Sequence, residues 1–289
     1  MKLDRLFSFS MLLFFSTIIN SYAFDEIKLT PGLSHVDQRL FYPHLVLKKA
    51  LDATLESDGP FKISYSTETM VRKRALIELI KGDLINVHIA ATQDEWEGKT
   101  IPICIPILKG LLGYRLLLIH KQDLEKFKNL HSIDNLKKLK AGSGAQWTTT
   151  MVLEHSGFNI VKGSNYEGLF GMLNEHRFDY FPRGVNEICS EFDARKETFL
   201  NIIIEPTKAL YFPTPSYFFV SPEYPILADR IRRGLEIIIQ NGVLDKLFEE
   251  KYGDAVSRAK LNDREILKME NPFLSNETPF NRHELWFTP

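Results

Sequence analysis

The chain repeats one pattern: a helix with an apolar face, a polar turn and a short aliphatic strand. The segment 75–87, ALIELIKGDLINV, follows this pattern, and so does the segment 168–180, GLFGMLNEHRFDY. Alternation of amphipathic helices with short apolar strands is typical of α/β proteins. Because the two segments lie in different halves of the chain, we expect two similar α/β lobes.

The same periodicity predicts the neighbouring strands and helices of each half. In the first half, the expected strands are 27–30, 61–65 and 84–90, and the expected helices are 42–55 and 68–81. In the second half, the expected strands are 139–142, 159–161 and 178–181, and the expected helices are 148–155 and 166–175. The basic cluster 72–74 is interpreted as a solvated helix face.

Two long apolar segments, 111–120 and 211–221, lie on either side of the second unit. If both are extended, the chain enters the second lobe through one and leaves it through the other, as in a hinge. Pro213 and Pro215 suit edge or crossover strands, because proline has no N–H to donate to a central ladder. The predicted division is a first lobe at 24–112, a second lobe at 113–212 and a return to the first lobe at 213–253.

The last part of the chain is expected to be helical and then to form a packed tail. Helical periodicity covers 226–252 with Gly253 as the stop, and a charged helix is predicted at 255–269. The sequence ends in Leu285-Trp286-Phe287. Because exposing a Trp–Phe pair would be costly, we expect 254–289 to pack on a lobe; a disordered end is the alternative.

The first 23 residues have the features of a cleavable signal peptide. Lys2 and Arg5 precede an apolar stretch, and Ser21 and Ala23 place small residues at the positions that a signal peptidase reads. The apolar stretch is shorter than the roughly 20 residues that a membrane-spanning helix needs. We therefore expect an exported protein with a signal peptide at 1–23; a retained membrane anchor is the alternative.

Charge and cysteine content argue against several classes of protein. Without its first 23 residues the chain has 34 basic and 36 acidic side chains, which gives no reason to expect nucleic acid or an acidic membrane as the main partner. Cys104 and Cys189 are the only cysteines, too few for a disulfide scaffold in a chain of this length. We expect both to be free thiols.

Motifs of catalysis and of metal binding are absent from the sequence. The eight histidines show no close metal-ligand spacing, and no HExxH motif, nucleophile elbow or Walker loop occurs. The residues Ser257 and Lys260 match a bare Ser-x-x-Lys pattern, but its companion motifs are missing. We therefore expect no enzyme, no cofactor and no metal.

The segment 140–150, KAGSGAQWTTT, is the first candidate for a ligand site. A glycine-containing turn after a strand, followed by a new helix, exposes backbone N–H groups and the positive end of the helix dipole. Anions suit that position, so Ser143, Gln146 and Thr148 are candidate ligand contacts. Trp147 would add a flat wall, with a packing role as its alternative.

Two arginines are candidates for binding an anion. Arg183 follows the last strand of the second unit, and ligands of open α/β sheets collect at the carboxyl ends of strands. Its guanidinium can form paired hydrogen bonds with carboxylate or phosphate; a salt bridge within the protein is the alternative. Arg115 lies in the apolar segment 110–119, GLLGYRLLLI, where a charge needs a partner. That partner is either a ligand or a carboxylate across the hinge.

The order of these features from about residue 27 to 252 resembles the periplasmic solute-binding proteins that serve polar amino acid ABC transporters. The shared features are the segment 79–87 before Thr92, the Gly113-Tyr-Arg crossover, the Gly-Ser-Gly helix start and the strand at 177–179. A divergent stand-alone branch of this family is indicated by the segments 110–115, 178–187 and 284–287. The resemblance implies a two-lobed α/β fold with two hinge-crossing strands.

The resemblance also implies a function. Members of the family close two lobes over a small solute and deliver it to a membrane permease or to a sensor such as a kinase or cyclase. It implies a monomer in the periplasm that binds a small molecule. An enzyme that has borrowed the fold is the alternative.

Two departures from the amino acid binders change the expected ligand. Those proteins hold the α-carboxylate with an Arg three residues after a Ser or Thr of the first lobe, but the residue three after Thr92 is Glu95. They hold the α-ammonium with an Asp five residues beyond the strand Asp, but counting from Asp179 reaches Gly184. We expect a small polar, anionic organic ligand instead of a standard amino acid. Its expected contacts are Thr92, Arg115, Ser143, Gln146, Trp147, Thr148 and Arg183.

Overall fold

A computed structural model describes residues 24–31 and 40–289, so the predicted signal peptide lies outside the described residues. The chain forms two α/β lobes, and the predicted fold class is confirmed. The strands and helices expected in the two units are present, with ends shifted by a few residues.

The first lobe contains two small sheets that lie side by side. Strand β1 (Asp25–Leu29) pairs in parallel with β2 (Phe61–Tyr65), and β11 (Ser216–Val220) lies antiparallel between β3 (Val87–Ala91) and β4 (Ile101–Ile103). The buried Asn86 joins the sheets, since its side chain accepts from Lys28 N at 2.7 Å and donates to Glu26 O at 2.7 Å. The helices of this lobe are α1 (Phe41–Asp52), α2 (Leu55–Asp58), α3 (Arg72–Lys81), α4 (Asp94–Lys99) and α10 (Pro225–Gln240).

The second lobe is built on a mixed sheet of seven described strands. Its strands are β5 (Tyr114–His120), β6 (Lys140–Gly144), β7 (Asn159–Gly163), β8 (Tyr180–Gly184), β9 (Ile202–Ile204), β10 (Lys208–Tyr211) and β12 (Glu265–Lys268). The central strand β5 is buried along its whole length, because apolar helices cover both faces of the sheet. The helices are α5 (Leu124–Lys128), α6 (Ile133–Lys137), α7 (Thr148–His155), α8 (Tyr166–Asn174) and α9 (Val185–Asp193).

The chain passes between the two lobes at two neighbouring segments, and it returns to the second lobe once more between α10 and β12. Residues 104–113 link β4 to β5, and residues 212–215 link β10 to β11. Phe212 N donates to Gly113 O at 3.2 Å, and a Cβ on Gly113 would lie 2.6 Å from the carbonyl oxygen of Phe212. The glycine therefore allows the two links to touch.

The two segments expected to be continuous hinge strands are shorter than predicted. The segment 111–120 begins with a 3-10 turn at Leu111–Gly113, and the strand that follows lies wholly in the large sheet. The segment 211–221 is interrupted at Pro213 and Pro215, which cannot donate to a strand ladder.

The helical prediction for the C-terminal part is wrong in two places. The expected helix 226–252 is two helices, α10 and α11 (Val243–Ala259), because Gly242 between them adopts a left-handed φ of 76°. Gly253 lies inside α11. The expected helix 255–269 is replaced by the end of α11 and by β12, which pairs in parallel with β10.

Residues 270–289 run along both lobes. The Phe273 ring packs 5.1 Å from the His155 ring of α7 in the second lobe. Arg282 donates two hydrogen bonds, of 2.6 and 2.9 Å, to Glu236 of α10 in the first lobe. Trp286 covers Gly110, where a Cβ would come 2.5 Å from the indole ring. The tail thus contacts both lobes and the link between them.

Two further observations concern cysteines and membranes. Cys104 is half-buried and Cys189 is buried, and both are free thiols. Burial raises the pKa of Cys104 to about 11, so its thiol stays protonated near neutral pH. Among residues 24–31 and 40–289, no helix combines the length and apolarity needed to cross a bilayer.

Candidate functional site

The two lobes contact each other where a strand of each sheet ends. Gln93 follows β3 and is the residue before α4, and Thr148 begins α7 shortly after β6. Gln93 Nε2 donates to Thr148 Oγ1 at 3.3 Å and lies 3.4 Å from Met151 Sδ. Since carboxyl ends of strands are where ligands of open α/β sheets bind, this contact marks the candidate site.

Thr92, which precedes Gln93, is buried and already has hydrogen-bond partners. Its hydroxyl donates to Glu97 Oε1, and its backbone N–H donates to Pro215 O at 3.0 Å. Glu95, at the position where amino acid binders carry an arginine, is 60% exposed and pairs with Lys99 at 2.9 Å. The hydrogen bond from Lys99 lowers the pKa of Glu95. Thr92 and Glu95 therefore supply no positive charge to a ligand.

Arg72 places a positive charge near the end of β3, although its basic cluster was expected to be a solvated helix face. Arg72 is half-buried, and its Nη2 donates to Ala91 O at the end of β3, at 2.6 Å. Its guanidinium carbon lies 5.0 Å from the ring centroid of Trp96. Burial lowers the pKa of Arg72 to about 10. The solvated-face interpretation is wrong for this arginine, because Trp96 and β3 draw its side chain inward.

Two neutral histidines lie in the same part of the first lobe. The His88 ring stacks 5.3 Å from the Trp96 ring, and its Nδ1 lies 3.1 Å from Thr30 Oγ1. Burial lowers the pKa of His88 to about 3 and that of His44 to about 4. Both rings are therefore uncharged near neutral pH.

In the second lobe, Arg183 forms a salt bridge within the protein. Its Nε and Nη2 donate to the two carboxylate oxygens of Glu191 at 2.7 and 2.6 Å, and Glu187 Oε1 lies 3.1 Å from Nη2. Although burial opposes the charge, Glu187 and Glu191 raise the pKa of Arg183. This salt bridge is the alternative that the sequence left open for Arg183. A direct role of Arg183 in ligand binding stays a prediction.

The Arg183 guanidinium is also enclosed by aromatic rings. Its central carbon lies 4.7 Å from the centroid of Trp147, 5.0 Å from Phe181 and 5.4 Å from Tyr166. Cation–π contacts of this kind stabilise a cation that has lost its water. Trp147 therefore packs against Arg183, which is the packing role weighed for it above.

Arg115 lies beside the same carboxylates. Its Nη1 is 3.7 Å from Glu187 Oε1, and its buried Nε has no hydrogen-bond partner among the described residues. Burial lowers the pKa of Arg115 to about 10. The two arginines and the two carboxylates, Glu187 and Glu191, balance in charge, so this cluster leaves no surplus positive charge for an anion.

The ligand contacts predicted in the glycine loop after β6 differ in how exposed they are. Ser143 is buried, and its hydroxyl accepts from Thr150 Oγ1 at 2.6 Å, so it is turned into the lobe. Gln146 is exposed, while Trp147 and Thr148 are half-buried. The structure therefore brings the start of α7 to the lobe contact, and Ser143 supports it from within.

Gln93, Met151 and Arg72 are the residues of the site that the sequence analysis missed. Gln93 is adjacent to the predicted contact Thr92, and Met151 lies one helical turn beyond Thr148, so spacing could have suggested both. Nothing in the sequence pairs Arg72 with Trp96. Within the described parts of the chain, no group of three His, Cys, Asp or Glu side chains is arranged to hold a metal ion.

Solved structures of solute-binding proteins match most of this architecture. An arginine-specific periplasmic binding protein from Salmonella typhimurium matches with a TM-score of 0.56 at 13% identity, over 79% of this chain and 99% of that chain. The chain has the fold of the periplasmic solute-binding proteins. No family model and no curated protein matches its sequence.

Two further structures show the same periplasmic solute-binding fold. An ancestral arginine-binding protein bound to arginine matches with a TM-score of 0.54 at 19% identity, over 79% of this chain and 98% of that chain. A structure from glutathione import in Streptococcus mutans matches with a TM-score of 0.54 at 14% identity, over 80% of this chain and 96% of that chain. At identities below 20%, these likenesses establish the fold of the chain.

Proposed function

We propose that this chain is an exported receptor that closes its two lobes on a small polar organic solute, for transport or for sensing. The observation that carries the proposal is the hydrogen bond from Gln93 to Thr148, which joins the two lobes at the ends of β3 and β6. A solute bound beside this contact would touch both lobes at once. Binding would then favour the closed arrangement, because only that arrangement provides both sets of contacts.

The residues at the start of α7 supply the second-lobe contacts in this proposal. Gln146 and Thr148 offer side-chain donors, and the first N–H groups of the helix favour a negatively charged atom. Trp147 forms a flat wall. Arg183 packs against this wall, Arg115 and Ser143 support the surrounding part of the lobe through Glu187 and Thr150, and Thr92 lies on the opposite side next to Gln93.

The ligand is an anionic organic solute and not a standard amino acid. Glu95 is paired with Lys99 and exposed, so it cannot replace an arginine that binds an α-carboxylate. Gly184 has no side chain, and its N–H donates to Glu187 Oε1 at 3.0 Å. Neither position therefore supports the α-amino acid clamp.

The setting of this activity is the periplasm. Cleavage after residue 23 would release the chain there as a monomer, and a membrane permease or a sensor kinase or cyclase would read the closed form. Transport and sensing require the same binding chemistry. A neighbouring permease gene would indicate uptake, and a neighbouring signalling receptor gene would indicate sensing.

A thermal-shift screen of carboxylates, phosphates, sugars and amino acids tests this function. A solute at a hundredfold excess over its dissociation constant adds about 2.7 kcal/mol to the free energy of unfolding. We expect an anionic solute to raise the melting temperature, and Gln93→Ala to weaken that response. Stabilisation by standard amino acids only would contradict the ligand class, and a chain that no compound stabilises would contradict the function. Conversion of a bound compound into a product would indicate an enzyme.

A further inference from the structure

We propose that Arg72 forms an anion subsite on the first-lobe side of the Gln93–Thr148 contact, which binds the carboxylate of a small organic acid. The inference rests on the proposed function, since it assigns the charged group of the ligand to one residue of the same site. It moves the anion-binding role away from Arg183.

The guanidinium of Arg72 is only partly satisfied by the protein. Nη2 donates to Ala91 O at 2.6 Å, while Nε is buried and has no hydrogen-bond partner among the described residues. Across residues 24–31 and 40–289, no carboxylate lies within ion-pair distance of this arginine. Leaving a buried polar group unpaired costs free energy, so an unpaired donor of this kind needs an explanation.

The buried Nε of Arg115 is also unpaired, but Arg115 lies 3.7 Å from Glu187 Oε1, and other arginines of the chain have closer partners. Arg230 is fully buried and donates to Asp25 at 2.7 Å, to Thr54 at 3.0 Å and to Gly59 O at 2.8 Å. Arg183 is buried and is held by Glu191. Arg74, two residues from Arg72 on the same helix, is exposed and pairs with Glu68. Arg72 thus combines partial burial with the lack of an ion-pair partner among the described residues.

Arg72 is connected to the lobe contact through the end of β3. Its partner Ala91 is the last residue of β3, two residues before Gln93, and Gln93 contacts Thr148 of the second lobe. Arg72 is also the first residue of α3, where the helix dipole is positive. A solute beside the Gln93–Thr148 contact would therefore meet the guanidinium.

The surroundings of Arg72 favour a carboxylate. Trp96 lies under the guanidinium, His44 and His88 are neutral, and Glu95, whose charge raises the pKa of Arg72, is paired with Lys99. A planar carboxylate can accept two parallel hydrogen bonds from the edge of a guanidinium. One uncompensated positive charge matches a monoanion better than a phosphate dianion, which would need a second cation.

The test compares the wild-type chain with Arg72→Gln, Arg72→Lys and the matched control Arg74→Gln. Each is titrated with acetate, hexanoate, benzoate and inorganic phosphate while the melting temperature is followed. The side-chain Nε resonance of Arg72 is followed by NMR in a parallel titration with benzoate. We expect a carboxylate to raise the melting temperature of the wild type and of Arg74→Gln, to have at least tenfold lower affinity for Arg72→Gln, and to retain part of its affinity for Arg72→Lys. The Nε resonance should shift with the same titration midpoint.

Different failures are distinguishable. Equal stabilisation of the wild type and Arg72→Gln by a carboxylate would overturn the inference and leave the proposed function standing. A wild type that responds to inorganic phosphate but to none of the three carboxylates would do the same. A wild type that responds to no compound, with a static Nε resonance, would overturn both. Arg72→Gln should fold, because it removes a partly buried charge that has no ion-pair partner in the described part of the chain; its melting temperature without ligand checks this.

Discussion

Replacing Glu191 with alanine should strongly destabilise the second lobe, because the change leaves the Arg183 guanidinium buried without its main partner. The side chains of Arg183 and Glu191 are 7% and 12% exposed, and two hydrogen bonds of 2.6 and 2.7 Å join them. Breaking a buried ion pair from one side costs about 3–5 kcal/mol. Glu187 and the Trp147 ring remain near the guanidinium, so we expect the lower end of this range.

A loss of about 3 kcal/mol corresponds to roughly 6–12 °C in melting temperature for a chain near this size. Urea unfolding followed by circular dichroism measures the free energy of unfolding. The control is Glu167→Ala, because Glu167 is 62% exposed and pairs with Arg195 in the same lobe; a pair with so exposed a partner is worth about 1 kcal/mol or less. Equal losses for Glu191→Ala and Glu167→Ala would refute the reasoning.

A double variant separates a buried charge from lost packing. Arg183→Met combined with Glu191→Leu removes both charges and keeps apolar volume. Replacing both members of a buried pair by apolar residues is often neutral or stabilising. The double variant should therefore be more stable than Glu191→Ala alone. A double variant with the summed losses of its single changes would show that Arg183 and Glu191 act independently.

Two further predictions concern acid stability and helix packing. Burial holds the pKa of His88 at about 3. Below about pH 6.5 the unfolded chain therefore binds a proton at this residue that the folded chain does not bind. The free energy of unfolding should then fall by about 2 kcal/mol between pH 7 and pH 5 through this residue. Unfolding measured at both pH values should show a smaller loss for His88→Gln, and equal losses would contradict the assignment. Gly234→Ala should cost about 1–3 kcal/mol or more, because its Cβ would overlap the backbone carbonyl of Ala50 on α1. Gly171→Ala is the control, since nothing lies within 4 Å of its added Cβ; urea midpoints that fall equally for both would contradict the packing argument.

Local periodicity was sufficient to predict the two α/β units. The strand Phe61–Tyr65 and the helix Thr148–His155 have the boundaries expected from the sequence, because an apolar face and a turn define them locally. The strand Glu265–Lys268 was missed, since it is stabilised by pairing with β10, far away in the sequence. Its charged, helix-favouring residues give little sign of that partner.

The candidate site shows the same limit. The loop with Trp147 and Thr148 could be found because a glycine turn before a helix is visible in sequence. Whether an arginine has a carboxylate partner could not be predicted, because this depends on what packs against the arginine after folding. Arg183 acquires Glu191, whereas Arg72 lies over Trp96 and acquires no carboxylate among the described residues.

Hydrogen exchange with and without the most stabilising solute tests whether a solute is held between the two lobes. We expect slower exchange of backbone amides in both 91–96 and 144–151, since these segments carry Gln93 and Thr148. The helix α5, Leu124–Lys128, lies outside both segments and serves as an internal reference whose exchange should not change. Slower exchange in only one of the two segments, or in neither, would contradict binding between the lobes.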